Sequence, residues 1–211
     1  MNPGHHPSEA FLVDFASGSL PGPARMVVQA HLSVCAECRA TLEAAEAVGG
    51  AMLTDLQPAA LQPDALALAL ARIERPAPAA PAYVASPPGW IEVPPGVTRA
   101  LRRRRRIAPG VWVAPVERNR SGVRSYLLGI PRGMSLPHHT HQSWEMTVVL
   151  KGAFRDGEEV FTAGDFIECD PSIQHSPRVT TDGDCVCLAA TEGSLIGLDF
   201  FGRVLIPLLG L

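Results

Sequence analysis

The sequence predicts an α+β chain of two domains, helical up to about residue 75 and all-β from about residue 90. Three observations carry that prediction. Residues 8 to 75 hold helix-start and helix-stop signals around Ala- and Leu-rich segments. The stretch "RPAPAAPAYVASPPG" then places five prolines between 76 and 88, which cannot continue a helix and behave as a semi-stiff spacer. Beyond Gly89 the chain becomes short apolar runs separated by Gly, Pro, Asn and Asp, the pattern of a β-sandwich or barrel. The boundaries expected are a helical domain at 1–75, a linker at 76–89 and a β domain at 90–211, which suits a chain of 211 residues.

In order, Ser8 can cap a helix with Phe11, Leu12 and Phe15 on one face, and Gly18 ends it. Pro23 suits the first turn of a second helix running to about Leu32. Residues 36 to 56, "AECRATLEAAEAVGGAMLTDL", form a long third segment that can break at Gly49-Gly50. "QPDALALALARIER" opens with a Pro-Asp entry signal; its Leu/Ala alternation also scores as a strand, but high helix propensity and scarce β-branched residues favour a fourth helix. After the linker, "VWVAPV", "SYLLGI", "EMTVVL", "EVFTAGDFIEC" and "DCVCLAAT" read as strands, and no helix is expected among them.

Net charge is −3, too mild to imply a nucleic-acid or membrane partner. The charge is uneven, with residues 1–80 carrying a net −4 and the remainder +1, so the helical part suits a basic partner rather than a phosphate backbone. The N-terminal "MNPGHHPSEA" has no signal-peptide pattern, and the apolar C-terminus is broken by Asp199 and Arg203. A cytoplasmic protein with no membrane partner is expected, in which the five cysteines serve as metal ligands or redox thiols rather than disulfides.

"HLSVCAEC" places His31, Cys35 and Cys38 at spacings of four and three, which on a helix put all three on one face. Two thiolates and an imidazole suit a structural zinc, which takes four ligands. The fourth must come from elsewhere, and His5 and His6 stand just before the first helix. A redox C-x-x-C would want a βαβ context that this sequence does not offer. The pattern resembles the zinc-binding anti-sigma fold, a small four-helix module that clamps an extracytoplasmic-function sigma factor. The resemblance spans about residues 5–75 and implies zinc at His6, His31, Cys35 and Cys38, with His5 as the fallback.

"GMSLPHHTHQSWEMTVVLKG", from Gly133 to Gly152, resembles the first cupin motif, with His139, His141 and Glu145 in step between the two glycines. His139 and His141 share a face of a strand, and Glu145 joins from the same strand across an irregularity at Gln142 to Trp144. "GDFIECDPSIQH" resembles the second cupin motif through Gly164, Pro171 and His175, although its proline is one place late and its usual glycine is missing. The implied ligand set is His139, His141, Glu145 and His175, with His138 facing outward. Such a set holds zinc first of all here, and Mn, Fe or Ni equally by ligand type.

Two weaker signals remain. The run Arg102 to Arg106 lacks interleaved aromatics and reads as a solvated strand end or hairpin tip. Cys185 and Cys187 would share a strand face; buried cysteines are mostly inert, so their redox use is the minority reading.

Both motifs, in this order and at this length, resemble the ChrR-type anti-sigma factors: a zinc anti-sigma domain, a Pro-rich linker and a C-terminal cupin-like domain. The resemblance implies a regulator, not an enzyme, that binds one extracytoplasmic-function (group IV) sigma factor 1:1. It further implies release on singlet oxygen or organic hydroperoxide sensed through the cupin metal, in an oxidative-stress response. Two rivals stand beside it: a metal-dependent cupin dioxygenase or isomerase with a helical oligomerisation module, and a DNA-binding regulator whose N-terminal acidity speaks against it.

Overall fold

The computed structural model describes residues 2–75, 85–200, 202, 203 and 206. Most of the expected Pro-rich linker therefore lies outside the described residues, as does much of the apolar C-terminus. Four helices precede the linker. Helix α1 (Glu9–Ser17) ends at Gly18 with φ 77°, and α2 (Gly22–Leu32) starts with Pro23 in its first turn. Helix α3 (Ala36–Thr54) runs through Gly49 and Gly50 unbroken. Two glycines cost roughly 2 kcal/mol there relative to alanine, which the surrounding Ala, Val and Met residues offset. Helix α4 (Ala65–Glu74) bears out the helical reading of the Leu/Ala alternation.

A fifth, short helix, α5 (Pro95–Ala100), was not expected beyond the linker. Its signal is a proline in the first turn, whose fixed φ suits that position and whose missing N–H costs nothing there. Val97 is fully buried and holds it down. A 3-10 turn at Leu101–Arg103 leads into the strands.

In chain order the strands are β1 (Arg105–Ala108), β2 (Val111–Arg118), β3 (Arg124–Ile130), β4 (His139–His141), β5 (Glu145–Lys151), β6 (Ala153–Asp156), β7 (Glu159–Thr162), β8 (Phe166–Cys169), β9 (Arg178–Val179), β10 (Cys185–Thr191) and β11 (Leu195–Gly197). A six-stranded antiparallel sheet has the order β1-β2-β3-β10-β5-β8. Two smaller sheets accompany it, β7-β6-β9 and β11-β4. Every apolar run read as a strand is one, "EVFTAGDFIEC" being split into β7 and β8 by the Ala163–Asp165 turn. The arginine run leads into β1, which pairs with β2, and Arg102 to Arg106 are all exposed, with Leu101 and Ile107 half-buried on either side.

Helix α2 ties the two parts together. It packs on α1 and α3 on one side and on β2, β3, β5 and β10 on the other. Ala24, Val27, Val28 and Ala30 are fully buried in a core they share with Leu127, Met146, Val148, Leu150 and Leu188 of the sheet. A helix apolar nearly all round is one that is covered on both sides. The helical and β parts thus have one continuous core, not two separate ones.

The second glycine of the first cupin motif has a steric reason. Gly152 turns β5 into β6 with φ +77°, and a Cβ there would stand 2.4 Å from the Asp184 carbonyl oxygen. Backbone cannot yield as a flexible side chain can, so only glycine fits.

Candidate metal centres

The first centre forms where α2 hands over to α3. His31 lies in the last turn of α2, and Cys35 is the N-cap of α3, in extended conformation (φ −98°, ψ 108°). The three motif residues therefore do not lie on one continuous helix face; a turn brings them together instead, and Cys38 follows in the first turn of α3. Cys35 Sγ accepts the Cys38 N–H at 3.4 Å, which satisfies one of the free amides at the start of α3. His6 arrives on the extended strap preceding α1. Its Nδ1 lies 3.3 Å from Cys35 Sγ and 3.4 Å from Cys38 Sγ, and His31 Nε2 lies 3.3 Å from Cys38 Sγ.

All four ligand atoms fall within 4.8 Å of one another. A tetrahedral zinc with Zn–S of about 2.3 Å and Zn–N of about 2.0 Å sets its ligand atoms roughly 3.5 Å apart, so the set fits zinc. Electrostatics agrees. Burial, then the hydrogen bond and charge of Cys35, push the Cys38 thiol up to about 12, so two thiolates here need a cation beside them. Burial lowers His31, which makes it a neutral ligand; its Nδ1–H donates to the Gly164 carbonyl at 2.7 Å and leaves Nε2 for a metal. His5, the fallback ligand, goes elsewhere: its ring lies 4.4 Å from that of Phe161 and its Nδ1 is 3.5 Å from Asp165 Oδ1.

The second centre lies on the β part. β4 presents His139 and His141 on one face, with ring centroids 5.3 Å apart, and backbone hydrogen bonds in both directions hold His175 opposite His139. The three histidines offer ligand atoms within 4.8 Å of one another. His139 Nδ1–H donates to Pro137 O at 2.8 Å, and His175 Nδ1–H donates to Asp156 Oδ2 at 2.6 Å. Both acceptors occupy Nδ1, so the Nε2 atoms are the ring nitrogens that face each other, 3.1 Å apart. Burial pulls His139 down to about 4, against its hydrogen bond to Pro137, so at neutral pH its Nε2 keeps a lone pair for a metal. Both ring nitrogens of His141 are buried and lack a hydrogen-bond partner. Three converging imidazoles, one of them without any hydrogen-bond partner, are what a metal cation would satisfy.

Glu145 sits at the rim of this cluster. It does not share a strand with the histidines, because β4 and β5 belong to different sheets, separated at Gln142 to Trp144. Its Oε1 is 3.6 Å from His141 Nε2, and its Oε2 accepts the Tyr126 O–H at 2.6 Å. Burial raises the carboxyl, but His141 and Tyr126 together outweigh it and leave the group below its ordinary range. Tyr126 and Asp156 were not anticipated from the sequence. Asp156, in the hairpin turn "RDG", is a carboxylate that orients a ligating histidine, and nothing in a linear spacing points to it.

His138 stays outside the cluster, as the H-x-H register required. Cys185 and Cys187 share a face, with Sγ atoms 3.7 Å apart, and both are buried free thiols. The hydrogen bond from Cys185 and burial hold Cys187 well above an ordinary thiol, so it is no ready thiolate. Cys187 also borders a cavity of about 60 Å³ that touches His139, His175 and Glu145, and a second of about 40 Å³ touches His139 and Glu145.

Comparison with known proteins covers both centres. Residues 88–194 match the family described as the ChrR cupin-like domain, and residues 9–39 match a zinc-finger family. The anti-sigma-E factor ChrR of Cereibacter sphaeroides is 38% identical, over 96% of either chain. The crystal structure of Rhodobacter sphaeroides SigE in complex with the anti-sigma ChrR superposes with a TM-score of 0.77 at 35% identity, over 90% of this chain and 100% of that one.

Proposed function

The chain belongs to the ChrR family of anti-sigma factors, and on that premise we propose that it binds and inhibits an extracytoplasmic-function (group IV) sigma factor 1:1 through its helical part. The observation that carries this reading is an apolar surface without cover among the described residues. Helix α4 has no buried residue, and Leu66, Leu68, Leu70 and Ile73 are all at least half exposed. Val48, Met52 and Leu53, towards the end of α3, are exposed as well. Apolar exposure on this scale marks a protein partner. The net −4 of the helical part suits the basic surfaces of a protein that binds DNA and polymerase.

Zinc at His6, His31, Cys35 and Cys38 would join the strap before α1 to the α2–α3 turn, its binding energy becoming folding energy for a module with few buried residues of its own. The division proposed, 1–75 and 90–211 about a spacer at 76–89, puts the match at 9–39 in the first part and nearly all of the match at 88–194 in the second. The β part is read as a cupin barrel with a second metal, zinc first and Mn, Fe or Ni as alternatives, at His139, His141, His175 and the neighbouring Glu145. Release on singlet oxygen or organic hydroperoxide would begin there, with Cys185 and Cys187 as the further oxidisable groups. The cavities lined by His139 and Glu145, and in the larger by His175 and Cys187 as well, are about 60 and 40 Å³ and admit oxidants of a few atoms. Pockets for organic substrates run to about 300 Å³ and above; the neighbouring cavity of that size is lined by Leu136, Pro137 and His138 and by none of the four ligands, which speaks against a cupin dioxygenase or isomerase. A cytoplasmic location, beside RNA polymerase, goes with the same reading.

The test is transcription. Purified full-length protein with zinc in the buffer should retain a group IV sigma factor from its host extract and block run-off transcription by that sigma factor. Absence of any retained sigma factor would move the reading to the enzyme. At the second centre, His141→Ala should leave one metal equivalent, in the N-terminal site, out of two by elemental analysis. Inhibition should persist and the oxidant response should be lost. Two equivalents in the variant would remove His141 from the ligand set.

A further inference from the structure

The zinc centre of the helical part is finished by the β part. The turn Ala163–Asp165, between β7 and β8, reaches under the strap and the α2–α3 turn. The Gly164 carbonyl accepts the His31 Nδ1–H at 2.7 Å, fixing which nitrogen of that ligand is free. Asp165, only 3% exposed, spends both carboxylate oxygens on ordering this junction. Its Oδ1 accepts the amides of Gly4 at 2.7 Å and His5 at 3.1 Å, just before the ligand His6. Its Oδ2 accepts the Thr162 N–H at 2.7 Å and the Thr162 hydroxyl at 3.0 Å. The Phe166 amide donates to the His5 carbonyl at 3.1 Å, and Glu168 Oε1 accepts the Ser8 amide at 2.6 Å, so the strap lies along β8.

Close approach depends on Gly164. It has φ +99°, and a Cβ there would sit 3.1 Å from Pro3 Cγ and 3.2 Å from Val34 Cγ2, one on the strap and one on the α2–α3 turn. The β7–β8 turn is also bracketed to β5. Gly164 N–H donates to Val149 O at 2.8 Å, and Val149 N–H donates to Asp165 O at 3.0 Å. β5 begins at Glu145, beside the second centre.

We propose that Asp165 and the Gly164 carbonyl are positioning residues of the N-terminal zinc centre, so that displacement of the β7–β8 turn loosens zinc held by His6 and His31. The proposal rests on the anti-sigma reading only for its consequence, which is that the cupin-like part acts on the sigma-binding part through this contact rather than by pulling on the linker. Partners that orient metal-ligating histidines are worth about ten- to a hundredfold in affinity.

Asp165→Asn in the full-length protein is the test, because one face of the amide opposes donors with donors. Zinc affinity of the N-terminal site, measured by competition with a chromophoric chelator, should weaken about ten- to a hundredfold, with the second metal equivalent retained as the control. With cobalt in place of zinc, the ligand-field bands should shift, which a general loss of stability would not produce. Unchanged affinity and unchanged bands in a folded variant overturn the proposal. Should the variant not fold, hydrogen exchange on the wild type decides: slow amides at Gly4 and His5 uphold the contact, and free exchange overturns it. A run-off transcription assay on the same variant reads the anti-sigma premise separately, since weakened zinc with undiminished inhibition would count against that premise and leave the positioning role intact.

Discussion

Cys35→Ser should lose the N-terminal zinc and, with it, roughly a hundredfold or more of sigma-factor affinity. The substitution separates two jobs that Cys35 does at once. As the N-cap of α3, Cys35 accepts the Cys38 amide, and serine is among the residues that perform this role best. The start of α3 therefore survives, and what disappears is a thiolate ligand that a hydroxyl does not replace. A structural zinc in a small helical module supplies on the order of 10 kcal/mol of folding free energy, far above the cost of any single surface change. Elemental analysis should read one metal equivalent fewer, and chelator-stripped wild type should behave alike. His5→Ala is the contrasting variant. Because the His5 ring faces Asp165 and Phe161, and its backbone amide keeps the bond to Asp165 in the variant, zinc content should stay unchanged. Retention of both zinc and sigma binding by Cys35→Ser would remove the site from the mechanism.

The chemistry of both centres was legible in the sequence because ligand identity is local information. H-x3-C-x2-C and H-x-H name their donors at fixed spacings, and punctuation by Ser8, Gly18, Pro23 and Asp64 marks the helix ends that the structure has. The geometry behind those spacings was less legible. A single helix face was the simplest way to gather His31, Cys35 and Cys38, whereas the chain uses an N-cap and a turn, which the same spacings also permit. Glu145 looked continuous with the histidines, yet the break at Gln142 to Trp144 moves it into another sheet.

What the sequence could not carry is long-range. Asp165 lies 161 residues from Gly4, and no local pattern predicts that its carboxylate closes on that amide. Likewise, the burial of α2 on both sides was hidden behind the proline-rich spacer, which suggested parts with separate cores. The largely apolar stretch "MVVQAHL", in which Gln29 alone is exposed, was the available signal, since a helix with a whole wet face would have shown a broader polar stripe. α4 presents the reverse case, a helix whose apolar residues the described part of the chain does not cover.

That helix gives the second large expectation: Leu66→Glu combined with Leu70→Glu should weaken sigma-factor binding about a hundredfold or more while leaving the protein's own stability unchanged. The two side chains are 73% and 50% exposed, so the substitutions remove no core contact and place charge where water already is. Melting temperature and both metal equivalents should match wild type, as expected of surface changes away from packed features. In a complex the balance reverses. Each leucine that passes from water into an interface contributes about 1.5–3 kcal/mol, and two together account for a factor of roughly a hundred or more. Burying two unpaired carboxylates adds a further penalty. Titration calorimetry against the retained sigma factor measures the loss, and thermal melting measures the control. If affinity stays within twofold of wild type, α4 lies outside the interface and its exposed leucines need another partner. If affinity falls with melting temperature unchanged, the apolar face of α4 is the clamp, and its distance in sequence from the zinc ligands shows how the metal acts: by holding α1, α2 and α3 in the arrangement from which α4 is presented.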